Sequence, residues 1–280
     1  MNKFLRMEKV SAVLFFIFSF AILSFAQKET EKFSTENDIK EDLKLNVCEN
    51  KERLDAVKKL FKKMGATDDE IKIEKFKDVE NLVVTKKGKT EETVIVGAHY
   101  DKTSDGCGAI DNWTGVVIIA NLYRTLKQFS TEKTFVFVAF GKEESGLVGS
   151  NAMAKEIPKD KRENYCAMIN LDSFGFTYPQ VMTNISDSKL IDLAEVVSKD
   201  MKLPFAQASI QFASSDSESF RKQKIPAVTI HGLSNKWQEY LHQTKDKLEN
   251  VNAQSVFIGY QFSLFYLTKI DGNACGAFRK

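Results

Sequence analysis

The chain has 280 residues, of which 43% are hydrophobic and 28% charged, with 14 Gly, 4 Pro and 4 Cys; these proportions exclude a disordered, collagen-like or small disulfide-scaffold protein. Its formal net charge is +2, and Lys3, Arg6 and Lys9 against Glu8 supply that excess, so the rest of the chain is near neutral and carries no general nucleic-acid surface. Roughly 250 residues beyond a targeting segment suffice to close around one large core.

The basic N-terminus precedes an apolar run from Val10 to Ala26. Ser24 and Ala26 place small residues where a signal peptidase inspects, so residues 1–26 are predicted to be an export signal cleaved after Ala26. The alternative is a membrane anchor formed by residues 10–26, which lies near the lower limit of about 17 residues for crossing a bilayer. Residues 27–46 are polar and lack periodicity, which predicts a flexible lead-in and a single folded domain over 47–280. Cys48, Cys107, Cys166 and Cys275 match no CxxC ribbon; in an exported chain they can pair in three ways, one of which, Cys48 with Cys275, would staple the first helix to the tail.

Leu54, Val57, Leu60, Phe61 and Met64 recur at helical spacing before Gly65. IKIEKF and NLVVTKK read as short strands. TVIVGAHYD is a continuous apolar run that ends in polar groups, the pattern of a buried strand delivering side chains at its C-terminal tip. The grammar then repeats: GVVIIANLYRTLK as a buried helix, TFVFVAF as a strand, GLVGSNAMAKEI as a helix, CAMINLDSF as a strand, SKLIDLAEVVSKDM as a helix, IPAVTIHG as a strand and AQSVFIGYQFSLFYLTKI as a long last helix. Alternating strands and helices predict an α/β fold, one three-layer domain with a mainly parallel mixed sheet flanked by helices. In such sheets the ligand crevice lies beyond the carboxyl ends of the strands.

Those ends carry the chemistry. His99 and Asp101 follow VIVGA, Asp111 lies in GAIDNWTG, Glu143 and Glu144 follow FVFVAFGK, Asp172 follows MINL, and His242 sits in the loop EYLHQTKD. Each has an ordinary alternative: Asp101 or Asp111 could cap a turn or helix, the Glu pair could be solvated, and His242 could be an exposed loop residue. Together they form a set of imidazoles and carboxylates at one sheet rim, where acids repel one another without a cation and where the donor set suits zinc. His231, at the end of IPAVTIH, is assigned to packing or pocket lining.

The ordered motifs HYD, GAIDNWTG, FGKEESGLVGS, NLDSFG and YLHQTKD resemble those of the co-catalytic zinc aminopeptidase family, which includes secreted bacterial leucyl aminopeptidases, glutamate carboxypeptidase II and the transferrin receptor ectodomain. The resemblance covers roughly residues 70–270. It implies two zinc ions per chain, one held by His99, Asp111 and Asp172 and the other by Asp111, Glu144 and His242, with Asp111 bridging. It also implies that Glu143 is the general base acting on a metal-bridging water, whose pKa the zinc lowers toward about 7. Asp101 is expected to accept the outward imidazole proton of His99. Asp216, in SSDSESFRKQKIPAVTI, matches a family acid that precedes a short helix. Lys142 and Lys224 depart from the family, standing where it commonly has Gly and a small residue.

The implied activity is removal of an N-terminal amino acid from peptides with a free N-terminus by a secreted or periplasmic enzyme. Two alternatives share the fold: a glutaminyl cyclase-like acyltransferase with one zinc, and a non-catalytic receptor-like ectodomain. GAIDNWTG and FGKEESGLVGS look like the peptidase forms, and retention of every ligand argues against the receptor. A carboxypeptidase would need arginines aimed at the substrate carboxylate, and only Arg124, Arg162 and Arg221 lie between His99 and His242. Phe205, Phe212 and Trp237 are candidates for walling a specificity pocket, with core packing as their commoner fate.

Overall fold

The computed structural model describes residues 33–208 and 214–279, so the export signal predicted over 1–26 lies outside the described residues. Residues Thr35–Lys280 form one compact unit. Its centre is an eight-stranded sheet of β1 (Ile71–Phe76), β2 (Val79–Lys86), β3 (Thr93–His99), β4 (Thr134–Phe140), β5 (Tyr165–Leu171), β6 (Gln180–Met182), β7 (Gln207–Ala208) and β8 (Ala227–His231), in the order β1-β2-β4-β3-β5-β8-β6-β7. The four central strands β4, β3, β5 and β8 run parallel, while β1, β2 and β6 pair antiparallel with their inner neighbours. The mixed, mainly parallel sheet expected from the alternation of elements is therefore present.

Seven helices accompany the sheet among the described residues: α1 (Glu36–Leu43), α2 (Asn50–Lys63), α3 (Thr114–Leu126), α4 (Val148–Glu156), α5 (Ser188–Asp200), α6 (Ser217–Lys222) and α7 (Ala253–Gly272). The strand period of two sorts the side chains between two layers. Val94, Val96 and Ala98 of β3 and Phe135, Phe137 and Ala139 of β4 join the large core that α1, α2, α3, α5 and α7 complete. Ile95, Val138 and Phe140 face the other way, onto a smaller core with Ala154 of α4 and Phe220 of α6. Burial on both faces is why these strands read as unbroken apolar runs, and each fully buried large side chain stabilises the fold by about 1.5–3 kcal/mol.

One expectation is corrected, and the open cysteine pairing is resolved. Residues 36–43 are not a flexible lead-in: they form α1, opened by a capping box in which Thr35 and Asp38 satisfy each other's backbone N–H groups. Ile39 and Leu43, four residues apart, enter the core, and the carboxylate of Asp42 is buried against Asn121 Nδ2 at 2.9 Å and Lys63 Nζ at 2.6 Å. A two-turn helix offers too few apolar positions for its period to show. The disulfides are Cys48–Cys107 and Cys166–Cys275 rather than Cys48–Cys275, because the start of α2 lies against the loop after β3 while the tail packs at the start of β5. No described helix is long and apolar enough to cross a membrane.

Candidate metal centre

The parallel strands β3, β4 and β5 all point their C-terminal ends at one rim, and the chemistry gathers there. His99 closes β3 and is buried. Glu143 and Glu144 follow β4 through Gly141 and Lys142, and Asp172 follows β5. Asp111 comes from the irregular turn Ala109–Trp113 that leads into α3, and its peptide bond to Asn112 is cis. The Asn112 side chain ties this turn to the end of β5: its Nδ2 donates to Leu171 O at 2.9 Å, and its Oδ1 accepts the N–H of Ser173 at 3.0 Å and of Gly115 at 3.1 Å. His242 arrives from a loop whose side chain is half exposed.

Asp111 turns one oxygen toward each imidazole. His99 Nε2 stands 3.0 Å from Asp111 Oδ1 and 3.6 Å from Asp172 Oδ1. His242 Nε2 stands 3.2 Å from Asp111 Oδ2 and 3.2 Å from Glu144 Oε2. Ligand atoms of His99, Asp111 and Glu144 lie within 4.8 Å of one another, and so do those of His99, Glu143 and Asp172. The structure thus brings together all five residues proposed as ligands, with Glu143 beside them. The other Glu144 oxygen, Oε1, is buried without a hydrogen-bond partner, a lone pair that a cation would satisfy. Nitrogen and carboxylate donors in this arrangement fit zinc.

The imidazoles offset part of the carboxylate charge. Burial works against a charged His99, but the charge of Glu143 and the nearby carboxylates of Asp101, Asp111 and Asp172 outweigh it and hold its pKa well above that of a free imidazole. His242 is pushed up to about 10 by its bonds to Asp111 and Glu144. Burial raises Asp111, yet the two imidazoles win and hold it far below the ordinary carboxylate range. Glu143, bonded to neither imidazole, is driven well above that range by burial and by the charges of Asp216, Asp172 and Asp111, with His99 opposing. A carboxyl group with a raised pKa beside a metal-ligand cluster is suited to taking up and releasing a proton.

Asp101 is placed differently from expectation. Its carboxylate lies 3.7 Å from His99 Nδ1, which instead approaches the Asp101 main-chain carbonyl at 3.2 Å. The carboxylate accepts the backbone N–H groups of Glu143 at 2.9 Å and Glu144 at 3.1 Å, so Asp101 holds the loop that carries the Glu pair. Asp216 is fully buried, neither of its oxygens finds a partner, and burial pushes it up to about 7. His231 is buried at the tip of β8 and accepts the Leu233 N–H on Nδ1 at 3.1 Å, while its Nε2 is buried without a hydrogen-bond partner; burial holds it down at about 4, neutral at physiological pH.

Two supporting residues had escaped notice. Asp246, four residues after His242, accepts the N–H of Ile110 at 2.6 Å and of Asp111 at 3.3 Å, fixing the turn that bears Asp111. It stands in the quoted motif YLHQTKD, and that was the available signal. Ser215 donates to Asp172 Oδ2 at 2.5 Å, and an isolated serine gives no signal at all. The cluster opens into a cleft of about 440 Å³, walled on one side by Met182, Leu233, Trp237 and Leu241. Of the three aromatic residues considered for that wall, Trp237 lines it, Phe205 packs against the main core, and Phe212 lies outside the described residues. No arginine is found among the described residues that line it.

Residues 81–257 match Peptidase family M28. A probable leucine aminopeptidase of Arthroderma otae is 30% identical over 223 residues, which are 71% of this chain and 59% of that protein; the chain therefore spans less than two thirds of this relative's length. Among solved structures, a zinc aminopeptidase from Bacillus subtilis superposes with a TM-score of 0.62 at 19% identity, covering 72% of this chain and 53% of that one. A glutaminyl cyclase from Porphyromonas gingivalis superposes with a TM-score of 0.69 at 18% identity, covering 84% of this chain and 96% of that one.

Proposed function

Because the chain belongs to Peptidase family M28, we propose that it is an exported zinc aminopeptidase that hydrolyses the first peptide bond of substrates with a free N-terminus. The observation that carries this reading is the position of Asp111, one oxygen 3.0 Å from the His99 imidazole and the other 3.2 Å from that of His242. A carboxylate so placed can bridge two cations, with His99 and Asp172 completing one site and Glu144 and His242 the other. Two zinc ions there would supply Lewis acidity, polarising the scissile carbonyl and lowering the pKa of a water molecule toward about 7.

The chain's own groups do the rest. Glu143 accepts the proton of the attacking water and passes it to the departing amine, serving first as base and then as acid. Asp101 holds Glu143 and Glu144 in register through their N–H groups. Met182, Leu233, Trp237 and Leu241 give the first side chain of the substrate an apolar wall. The described lining of the cleft holds no arginine, so it lacks the bidentate donors that would select a C-terminal carboxylate. Export is supported by the two disulfides, which form and persist in oxidising compartments.

Cyclisation of N-terminal glutamine with one zinc is the second reading, favoured by the extent to which this chain covers the cyclase. Zinc counting combined with a substrate panel separates the two. The aminopeptidase reading expects two zinc ions and release of amino acid from aminoacyl amides; one zinc with cyclisation of glutaminyl peptides would overturn it.

A further inference from the structure

Behind the acidic cluster lies a fully buried arginine, Arg53 of α2. Its guanidinium is spent on main-chain carbonyls: Nε donates to Tyr100 O, Nη1 to Val47 O at 2.8 Å and Cys107 O at 2.9 Å, and Nη2 to Gly108 O at 3.0 Å. Nη1 also reaches Asn46 Oδ1 at 3.0 Å. Tyr100, Cys107 and Gly108 all belong to the loop that joins His99 to Asp111. The same helix grips the loop again at Lys102, whose N–H and carbonyl both bond the Asn50 side chain at 2.9 and 2.8 Å, and the Cys48–Cys107 disulfide closes the grip covalently. From the opposite side the loop meets the segment after His242: Cys107 N–H donates to Asp246 O at 2.7 Å, and a Cβ on Gly106 would fall 2.6 Å from Gln243 O. The span between the two ligands is thus clasped between α2 and the His242 loop.

A buried guanidinium is tolerated only when its donors are satisfied. Here burial lowers the Arg53 pKa to about 10, with Asp246, Asp101, Asp111 and Glu144 holding it up, so the group is charged at neutral pH. Its charge repels an incoming cation, whereas its geometry fixes the loop that presents His99 and Asp111; the two effects on metal affinity have opposite sign. A lysine would keep the charge but cannot reach four carbonyls with a planar fork.

We propose that Arg53 is a positioning residue for the metal centre, holding the loop of residues 100–108 so that His99 and Asp111 stand at ligand spacing before a cation arrives. This rests on the metal-centre reading above. Zinc affinity of the metal-free full chain, read by competition with a chromophoric chelator, tests it alongside thermal unfolding of the same samples. Arg53→Lys should weaken zinc binding roughly 10–100-fold, the range for residues that orient ligands, and at saturating zinc should lower kcat while leaving KM nearly unchanged. Wild-type zinc affinity in a folded Arg53→Lys protein would overturn the proposal, and so would a lowered melting temperature without weaker zinc binding. If Arg53→Lys does not fold, Asn46→Ala decides: it removes one acceptor of the guanidinium and the 3.2 Å bond from Asn46 Nδ2 to Cys107 O, and with two hydrogen bonds lost should weaken zinc roughly 3–10-fold. Unchanged zinc affinity in Asn46→Ala would then count against it. A wild type that binds zinc but cleaves no aminoacyl amide would sink the aminopeptidase reading alone, leaving the zinc comparison intact.

Discussion

Asp216 shows how burial sets the titration of a single carboxyl group. Its carboxyl is fully buried with no hydrogen-bond partner, and burial raises it from an ordinary 3.8 to about 7. In the unfolded chain the group ionises near its ordinary value, so between about pH 4 and 7 the folded state holds more protons, and stability falls as pH rises through that window. For the metal-free protein, urea unfolding from pH 4.5 to 8 should show this fall, and Asp216→Asn should flatten it. An unchanged slope in the variant would mean that Asp216 ionises freely in the fold. That the candidate ligands gather at one rim was legible from sequence, because each follows a buried strand or stands in a motif of several residues. Ser215 and Arg53 were not, since their role lies in hydrogen bonds to main-chain or carboxylate groups far away in the sequence, which leave no periodic trace; Asp246 shares its motif with His242, but its bond to the turn of Asp111 is just as remote.

At the scale of elements, the two departures from the family acquire a physical meaning. Lys142 and Lys224 both adopt left-handed backbone, with φ of 55° and 63°, where a Cβ costs roughly 1–2 kcal/mol. Lys142 recovers part of this through its 3.1 Å bond to Asp78. Lys224, exposed between α6 and β8, has its backbone N–H bonded to Arg221 O and its carbonyl bonded to Arg279, neither of which needs the lysine side chain. Lys224→Gly should therefore stabilise the protein, by roughly 0.5–1 kcal/mol after the entropy of glycine in the unfolded chain is subtracted. In a chain of this length that corresponds to a rise in melting temperature of about 1–3 °C; a fall would show that the lysine stem packs usefully on its surroundings. The buried strands β3, β4, β5 and β8 were readable as apolar runs. The short elements α1, β6 and β7 were not, because two or three residues of contact with a sheet edge or core impose no pattern long enough to see.

In the whole molecule, parallel strands end at one rim, a disulfide and an arginine brace the loop between His99 and Asp111, and a cleft with one apolar wall opens beside them. The parallel topology makes the site: had β3 and β4 been antiparallel, His99 and the Glu pair would sit at opposite ends of the sheet. In the proposed mechanism Glu143 moves the proton, while His99, Asp111, Glu144, Asp172 and His242 would hold metal. The most direct test is the turnover of a leucyl amide by zinc-loaded wild type and Glu143→Gln, with bound zinc counted in both. A drop in kcat of about 10²–10⁴-fold is expected, with two zinc ions retained. Turnover within a factor of a few of wild type, at equal zinc content, would contradict it.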